Sequence, residues 1–373
     1  MPDKHARLSP SGSHIWLNCP PSVRLSEKYA DETSVYAEEG TEAHSLCEYE
    51  LRKALGEKVP DPRPNLKHYS SEMQDAADGY TETVLAIREE LRAIDECTEV
   101  FVEQHVDFSE YVPGGFGTSD AVVIGGNTMA VIDFKYGKGI AVSAEHNPQL
   151  MCYALGAYLA FGALYDLETV RLVIYQPRLN NYSTWDLTLE ELLSWAESEL
   201  RPKALLAEAG EGEFSSGEWC RFCRARCSCR ARAEKNLELA KYDFEMPPKL
   251  NESEIAAILP VIDDLTSWAD EIKHYALQQA LSGVRYPGFK VVRGRSVRRY
   301  SDDAAAAEAV TKAGYDPYEK KILGITAMTQ LLGKKKFEEV LGSLITKPPG
   351  KPTLVPESDK RPAINTAFED FKD

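Results

Sequence analysis

Two aspartates and a lysine, Asp120, Asp133 and Lys135, lie close together around a turn signal. Gly126-Asn127 is a favoured two-residue turn between two apolar runs, so the segment predicts a β-hairpin. With these turn residues, Asp120 sits directly opposite Asp133 at about 5 Å between Cβ atoms. Lys135, two residues further on, projects from the same face as Asp133. Because facing carboxylates repel each other, the hairpin predicts a cation between them.

Two carboxylates, an ammonium group and a hard divalent ion suit phosphodiester hydrolysis. Mg²⁺ or Mn²⁺ would bridge the phosphate and a water molecule, lower the pKa of that water and neutralise charge on phosphorus. Lys135 would hold the water and stabilise the pentacovalent state. In the alternative interpretation, Asp120 and Asp133 are strand-end residues facing solvent, and Lys135 only pairs with one of them. A one-residue slip in the register would favour that alternative.

Four further residues could complete such a site. Gln149 and Tyr153 lie four apart near the start of a predicted helix, so they share a face and could orient the lysine or hold a phosphate. Alone, the same pair would be interpreted as an exposed first-turn residue and a core tyrosine. His44, on a predicted helix, could supply an imidazole ligand, although a lone helical histidine is more often structural. Glu103, on a predicted strand, is a candidate auxiliary acid.

The cysteines are unevenly placed, since four of the eight fall within ten residues: Cys220, Cys223, Cys227 and Cys229. In a chain without a secretory signal, such a cluster is more typical of a metal site than of disulfides. Four thiolates this close can hardly all reach one tetrahedral ion without strain, so we expect three to bind and Cys19 to supply the fourth ligand. An all-thiolate site suits zinc or an iron–sulfur cluster. The alternative is a fortuitous run of free cysteines.

The composition is that of a globular protein with an acidic surface. The chain has 373 residues, 43% of them hydrophobic, and a formal net charge of −16. This balance excludes wholesale disorder and fibrous proteins, and the charge argues mildly against long-range attraction to nucleic acid. The stretch from Ser282 to Tyr300 nevertheless contains no acid and several basic residues, among them Arg293, Arg295, Arg298 and Arg299. We predict that these arginines contact DNA, the alternative being a solvated surface.

Apolar periodicity and capping residues predict the elements that position these residues. The predicted helices begin at Ser9-Pro10, at a Ser71/Gln74 capping box and at Asn147-Pro148, and cover residues 40–55 and 188–208. The predicted strands are 100–108, 121–124, 129–134 and 170–175. This order predicts an α/β fold with helices around a small mixed sheet. After residue 249 we expect an amphipathic helix opening at Asn251, kinked or split at Pro260, and then three short helices.

These motifs, in this order, resemble the RecB-like branch of the PD-(D/E)XK nuclease superfamily. That branch has a histidine on an N-terminal helix followed by G-x-x-D, D-x-K and Q-x-x-x-Y. The matching residues here are His44, Gly117 to Asp120, Asp133 to Lys135, and Gln149 to Tyr153. Ser119 stands where the superfamily's name has proline. The whole chain is also similar to a nuclease family found in phages and prophages.

The cysteines carry a second part of the resemblance. Iron–sulfur members of the branch, among them CRISPR-associated adaptation exonucleases and the AddB helicase–nuclease subunit, have one early cysteine and a late C-x2-C-x5-C. Cys19, Cys220, Cys223 and Cys229 match this spacing, which leaves Cys227 as a bystander. The resemblance thus implies a structural 4Fe–4S cluster, with zinc as the alternative. By analogy with a long disulfide loop, closing about two hundred residues in this way should contribute several kcal/mol.

The resemblance also implies an organisation and a set of ligands. We expect a restriction-endonuclease-like domain over residues 1–235, a helical accessory region over 250–345 and an extended proline-rich tail over 346–373. His44, Asp120, Asp133 and the Phe134 carbonyl would bind the catalytic metal, with Lys135 as the essential residue beside it.

The function implied is that of a Mg²⁺- or Mn²⁺-dependent deoxyribonuclease, more specifically an exonuclease in phage DNA replication or recombination. We expect it in the cytoplasm of a bacterial host cell, with DNA and replication or recombination proteins as partners, no membrane partner, and a homo-oligomer as an open option. Strand polarity and the preference for single strands or duplex ends stay open. One alternative is a non-catalytic nucleic-acid-binding protein on a nuclease fold. Another is a zinc-binding regulator, which leaves the hairpin unexplained.

Overall fold

A computed structural model describes residues 6–29, 35–238, 250–293, 300–318 and 321–346. Arg295, Arg298, Arg299 and the tail from residue 347 onward therefore lie outside the described residues, while Arg293 is described and exposed. The chain divides into two compact units, residues 1–275 and 276–373. All the other residues predicted to form the site belong to the first unit.

The first unit is built on one five-stranded mixed sheet with the strand order β1-β2-β3-β4-β5. The strands are β1 (Glu99–Asp107), β2 (Phe116–Gly125), β3 (Thr128–Phe134), β4 (Thr169–Gln176) and β5 (Asn181–Thr188). Only the β3–β4 pair is parallel. The predicted mixed sheet flanked by helices is confirmed, and β5 is a strand that the sequence pattern did not predict.

The predicted hairpin between β2 and β3 has the predicted register. Its pairs run from Gly125 opposite Thr128 to Ala121 opposite Ile132. Gly126 adopts a φ of 59°, the left-handed conformation that a tight hairpin turn requires and that glycine adopts without steric cost.

Helices cover both faces of this sheet. One core layer joins α3 (Val35–Ala54) and α4 (Ser71–Arg92) to alternate residues of β2 and β3, including Val123 and Ile132. The opposite layer joins α5 (Pro148–Phe161) and α6 (Leu189–Trp195) to the intervening residues, including Val122 and Val131. Successive strand residues point to opposite faces, so two covered faces account for the nearly continuous burial of β3.

The helix starts follow capping chemistry, with one correction. Ser9 caps the 3₁₀ turn Pro10–Gly12 that precedes α1 (Ser13–Trp16), and Asn147 caps α5, as predicted. The predicted Ser71 cap is wrong: α4 begins at Ser71, and its cap is Ser70, whose hydroxyl accepts a hydrogen bond from the Met73 N–H at 3.2 Å. Ser70 and Ser71 are adjacent, and only the first has the extended backbone that a cap requires.

The remaining helices of the first unit lie before or after the five strands in the sequence. A short helix α2 (Ser22–Ser26) lies after α1. The predicted helix over 188–208 is present as α6, a π-helical segment (Ala196–Leu200) and α7 (Arg201–Ala209). It is followed by α8 (Arg230–Leu237) and α9 (Glu252–Leu281), the latter crossing the boundary between the units. Asn251 accepts a hydrogen bond from the Glu254 N–H, as its capping role predicts, and α9 runs through Pro260 as one helix.

The second unit contains the end of α9 and three short helices. These are α10 (Asp303–Lys312), α11 (Ile325–Leu332) and α12 (Lys334–Leu341), in the region where three helices are predicted. Across the described parts of both units, we find no helix with the length and apolarity that crossing a bilayer demands.

Candidate metal centre and cysteine cavity

Three acidic residues from three neighbouring strands lie in one row. The β1–β2 pairs on either side of Asp120 set Glu103 opposite it, and the β2–β3 register continues from Ile132 to Asp133. Glu103 has a φ of 50°, a left-handed conformation that a glutamate rarely adopts, and no ladder pair forms between Glu103 and Asp120. The sequence predicted Glu103 only as an auxiliary acid, whereas the structure sets it beside the central aspartate.

Asp120 is the centre of this row and has two partners. One carboxylate oxygen lies 3.2 Å from Nδ1 of His44, on α3. The other accepts a hydrogen bond of 2.7 Å from the backbone N–H of Phe134. The Asp120 carboxylate thus pairs with the Phe134 N–H just beyond the last paired residues of β2 and β3, Ala121 and Ile132. The Phe134 ring also packs edge-on against the His44 imidazole, with the ring centroids 5.3 Å apart.

The donor atoms of His44, Glu103 and Asp120 are close enough to share one metal ion. One ligand atom from each residue lies within 4.8 Å of the other two, an arrangement that, among the described residues, is found at this place alone. Imidazole and carboxylate donors suit a divalent ion such as Mn²⁺ or Mg²⁺. These three side chains therefore fit a metal, as the sequence predicted for His44 and Asp120.

The electrostatics of the row also favour a bound cation. Burial raises the pKa of Glu103 to about 7, and the Asp120 charge adds to this rise. Burial disfavours charge on His44, but the charge of Asp120 and its hydrogen bond outweigh burial and raise the His44 pKa to about 9. Burial likewise opposes charge on Asp120, yet the His44 imidazolium lowers the Asp120 pKa. At neutral pH the row therefore holds protons that a metal would displace.

Asp133 and Lys135 form a second, connected group with the start of α5. The Lys135 ammonium lies 2.9 Å from Asp133 Oδ2, and Asp133 is only 3% exposed. Gln149 links the two: its Oε1 accepts from Lys135 at 3.0 Å, and its Nε2 donates to Asp133 at 3.1 Å. Nε2 also lies 3.2 Å from the Tyr153 hydroxyl. The structure therefore brings together all four of these predicted residues.

The contact between Asp133 and Lys135 determines the charge of the lysine. Burial raises the pKa of Asp133. Burial would lower the pKa of Lys135, but the adjacent Asp133 charge outweighs it and raises the Lys135 pKa. Lys135 is therefore an ammonium ion at neutral pH, a form that stabilises negative charge rather than accepting a proton.

Four cysteines from the two ends of the first unit line one cavity, here called the cysteine cavity. They are Cys19, Cys220, Cys223 and Cys229, the set that the C-x2-C-x5-C spacing predicts, and none of them forms a disulfide. Cys227 is described but does not line this cavity. Backbone N–H groups of Ser215 and Gly217 lie 3.5 Å from the sulfurs of Cys19 and Cys220, so the cavity offers N–H donors to bound thiolates.

The spread of these thiols bears on what they could hold. In a tetrahedral thiolate zinc site, a metal–sulfur distance of about 2.3 Å puts the sulfurs about 3.8 Å apart. No three of the four sulfurs lie within 4.8 Å of one another, since among the described residues only the His44 group meets that limit. At this spacing the four sulfurs do not form a tetrahedral zinc site of that geometry.

Comparison with known proteins gives matches among solved structures and a match to one family model. A solved structure titled "Crystal structure of SSO0001" is 16% identical to this chain and covers 50% of it and 95% of its own length, with a TM-score of 0.22. Residues 5–362 match the family model described as "Protein of unknown function (DUF2800)". This match spans nearly the whole chain, which therefore belongs to the DUF2800 family.

Proposed function

We propose that this chain is a metal-dependent DNA nuclease, a hydrolase that cleaves phosphodiester bonds. The observation that carries the proposal is the row formed by Glu103, Asp120 and Asp133, with His44 at one side and the Lys135 ammonium at the other. Three carboxylates in one row are unfavourable for a strand pairing, and a divalent cation compensates for that cost.

Each residue has a distinct part in the proposed reaction. His44, Glu103 and Asp120 hold the metal, which when bound would lower the pKa of a water molecule and neutralise charge on the phosphate. Asp133 completes the row and holds the Lys135 ammonium at 2.9 Å. Lys135 stabilises the negative charge that develops on phosphorus. Gln149 fixes the direction of the Lys135 side chain through the hydrogen bond to its Oε1.

The fold supports the resemblance to RecB-like PD-(D/E)XK nucleases. An antiparallel β1–β2–β3 meander is followed by a crossover through α5 to the parallel strand β4. The motif residues lie in the first half of β2, at the end of β3 and at the start of α5. On this resemblance we propose an exonuclease of phage DNA replication or recombination. The cysteine cavity would hold a 4Fe–4S cluster with a structural role.

The test is degradation of end-labelled single- and double-stranded DNA with Mg²⁺ or Mn²⁺. We expect Asp120→Asn and Lys135→Ala to lower the rate by about 10²- to 10⁴-fold, since each removes a charge used in the transition state. Glu99→Gln is the matched control, because Glu99 is an exposed acid on β1 away from the row. We expect this variant to cleave at the wild-type rate.

The alternatives predict other outcomes. Tight DNA binding without cleavage by the wild-type chain, with both metals and both substrates, would replace the proposal with a non-catalytic nucleic-acid-binding protein. A chain that purifies with zinc and neither binds nor cleaves DNA would favour the zinc-binding regulator.

A further inference from the structure

A buried arginine lies between the cysteine cavity and helix α9. Arg232 is only 1% exposed and lines the cavity together with Cys19, Cys220, Cys223 and Cys229. Cys229 is the N-cap residue of α8, and Arg232 lies one turn into that helix. A charged side chain is rarely buried to this degree without several partners.

Two of the three guanidinium nitrogens are paired with acids of α9. Nη1 lies 2.6 Å from Glu271, and Nη2 lies 2.9 Å from Asp264. These acids are seven residues apart, so they share one face of α9. Trp268 lies on the same face and is 9% exposed, and Asn236 of α8 also donates to Asp264. Arg232 is thus at the centre of the contact between α8 and α9.

The third nitrogen, Nε, is buried and has no hydrogen-bond partner among the described residues. A buried N–H group without a partner is unfavourable, and native structures rarely keep one. Arg232 lines a cavity whose other polar groups include four thiols. A thiolate-bound metal cluster would carry negative charge and sulfur acceptors, which the free donor could satisfy.

We propose that Arg232 joins the cysteine cavity to α9: its Nε–H donates to a sulfur of the bound cluster while its Nη groups hold Asp264 and Glu271. This inference rests on the proposed 4Fe–4S cluster. Arg232 is a positioning residue, and it couples the presence of the cluster to the attachment of α9. Loss of the cluster leaves the buried Nε–H without an acceptor, which loosens Arg232 and with it the contact of α9 with α8.

The experiment measures iron and acid-labile sulfide, the midpoint potential of the cluster, and amide hydrogen exchange of residues 260–275 in the purified full-length chain. In Arg232→Gln, loss of the N–H donor and positive charge should move the midpoint potential to more negative values. Exchange over 260–275 should rise by about tenfold or more in this variant, and also in wild-type protein after removal of the cluster with a chelator and oxidant.

Two further variants separate the possible causes. Asp264→Asn with Glu271→Gln keeps the Nε donor, so we expect faster exchange over 260–275 and no fall in the midpoint potential. Arg230→Gln removes a neighbouring, exposed arginine of α8, and we expect wild-type values for all three measurements.

The outcomes that overturn the inference are distinct. Iron-loaded Arg232→Gln with the wild-type potential and wild-type exchange would show that Arg232 contacts no cluster and holds no helix, and would leave the cluster itself standing. An equal fall in potential in Arg230→Gln, which removes the same charge from an exposed position, would reduce the effect to overall charge. A wild-type chain that takes up no iron would remove the cluster proposal and this inference together.

Discussion

Glu103 of β1 lies directly opposite Asp120 of β2, at a position where the backbone of Glu103 has a φ of 50°. The β1–β2 ladder is regular on both sides of this pair, so the strained residue coincides with the proposed metal ligands. Backbone strain of this kind persists only where the surrounding structure enforces it, and it clusters at functional sites. The relationship between these two carboxylates leads to the first prediction.

Replacing Glu103 should make the metal-free protein more stable at high pH and weaken its metal binding. Burial raises the folded-state pKa of Glu103 to about 7, above its ordinary value of 4.5, so folding disfavours its ionised form. The resulting loss of stability is absent well below pH 4.5, grows as pH rises toward 7 and is complete above it. Glu103→Gln removes this term and should raise the free energy of unfolding at pH 8 by about 1–3 kcal/mol.

The measurement is urea unfolding of metal-free protein at pH 4.5 and pH 8. Glu99→Gln, on the same strand, should change neither value by more than about 0.5 kcal/mol. Equal stability of Glu103→Gln and wild type at both pH values would contradict the assigned environment of Glu103.

Metal binding should release protons at neutral pH. At pH 7, His44 with a pKa of about 9 is almost fully protonated and Glu103 with a pKa of about 7 is about half protonated. Binding of Mn²⁺ should therefore release about 1.5 protons per ion, and fewer in His44→Gln, where only Glu103 has a proton to lose. Calorimetry of Mn²⁺ binding in buffers with different ionisation enthalpies measures this number. Binding without proton release would place the metal elsewhere.

Gln149 should matter more than Tyr153 for the rate of DNA cleavage. Gln149 connects Lys135 to Asp133, whereas Tyr153 lies at the far end of that hydrogen-bond chain. Gln149→Leu should lower kcat by about 10- to 100-fold through loss of lysine orientation, and Tyr153→Phe by less than about threefold. Steady-state cleavage of labelled DNA compares the two. Equal falls in kcat in the two variants would mean that Gln149 does not set the direction of the Lys135 side chain.

Cys19 and Cys227 should differ in their effect on bound iron. Cys19 lines the cysteine cavity and Cys227 does not. Cys19→Ser should lower the iron content. It should also lower the free energy of unfolding by several kcal/mol, because the cluster would no longer close the long loop between residues 19 and 220. Cys227→Ser should keep the iron content and visible absorbance of the wild type. Loss of iron in Cys227→Ser but not in Cys19→Ser would mean that Cys227 is a cluster ligand and Cys19 is not.

The local signals in the sequence were sufficient for the hairpin that presents the site. Gly126-Asn127 fixes a two-residue turn, the turn fixes the β2–β3 register, and that register gives the neighbours of Asp120 on β3. The same kind of local signal identified the Asn147 cap and hence the position of Gln149 at the start of α5. The cysteine spacing alone left open which of the late cysteines stands aside; the resemblance to iron–sulfur members of the RecB-like branch favoured Cys229 over Cys227, and Cys229 lines the cavity.

Features that depend on distant contacts were not accessible in this way. The position of Glu103 opposite Asp120 requires the β1–β2 register, and the intervening segment contains no two-residue turn to define it. Strand β5 was missed because its residues are mostly polar and only Leu187 is buried in it, so it lacks an apolar pattern. Ser70 and Ser71 are equally good capping residues by type, and the backbone conformation at Ser70 decides between them.

The distance in sequence between Cys19 and Cys220 has a consequence for biosynthesis. A nascent polypeptide that has emerged only as far as β5 already contains every residue of the acidic row, but lacks three of the four thiols of the cavity. Assembly of the proposed iron–sulfur cluster would therefore follow translation of the whole sheet. Ribosome-bound intermediates stalled before residue 220 would carry the residues of the acidic row without three of the four proposed cluster ligands.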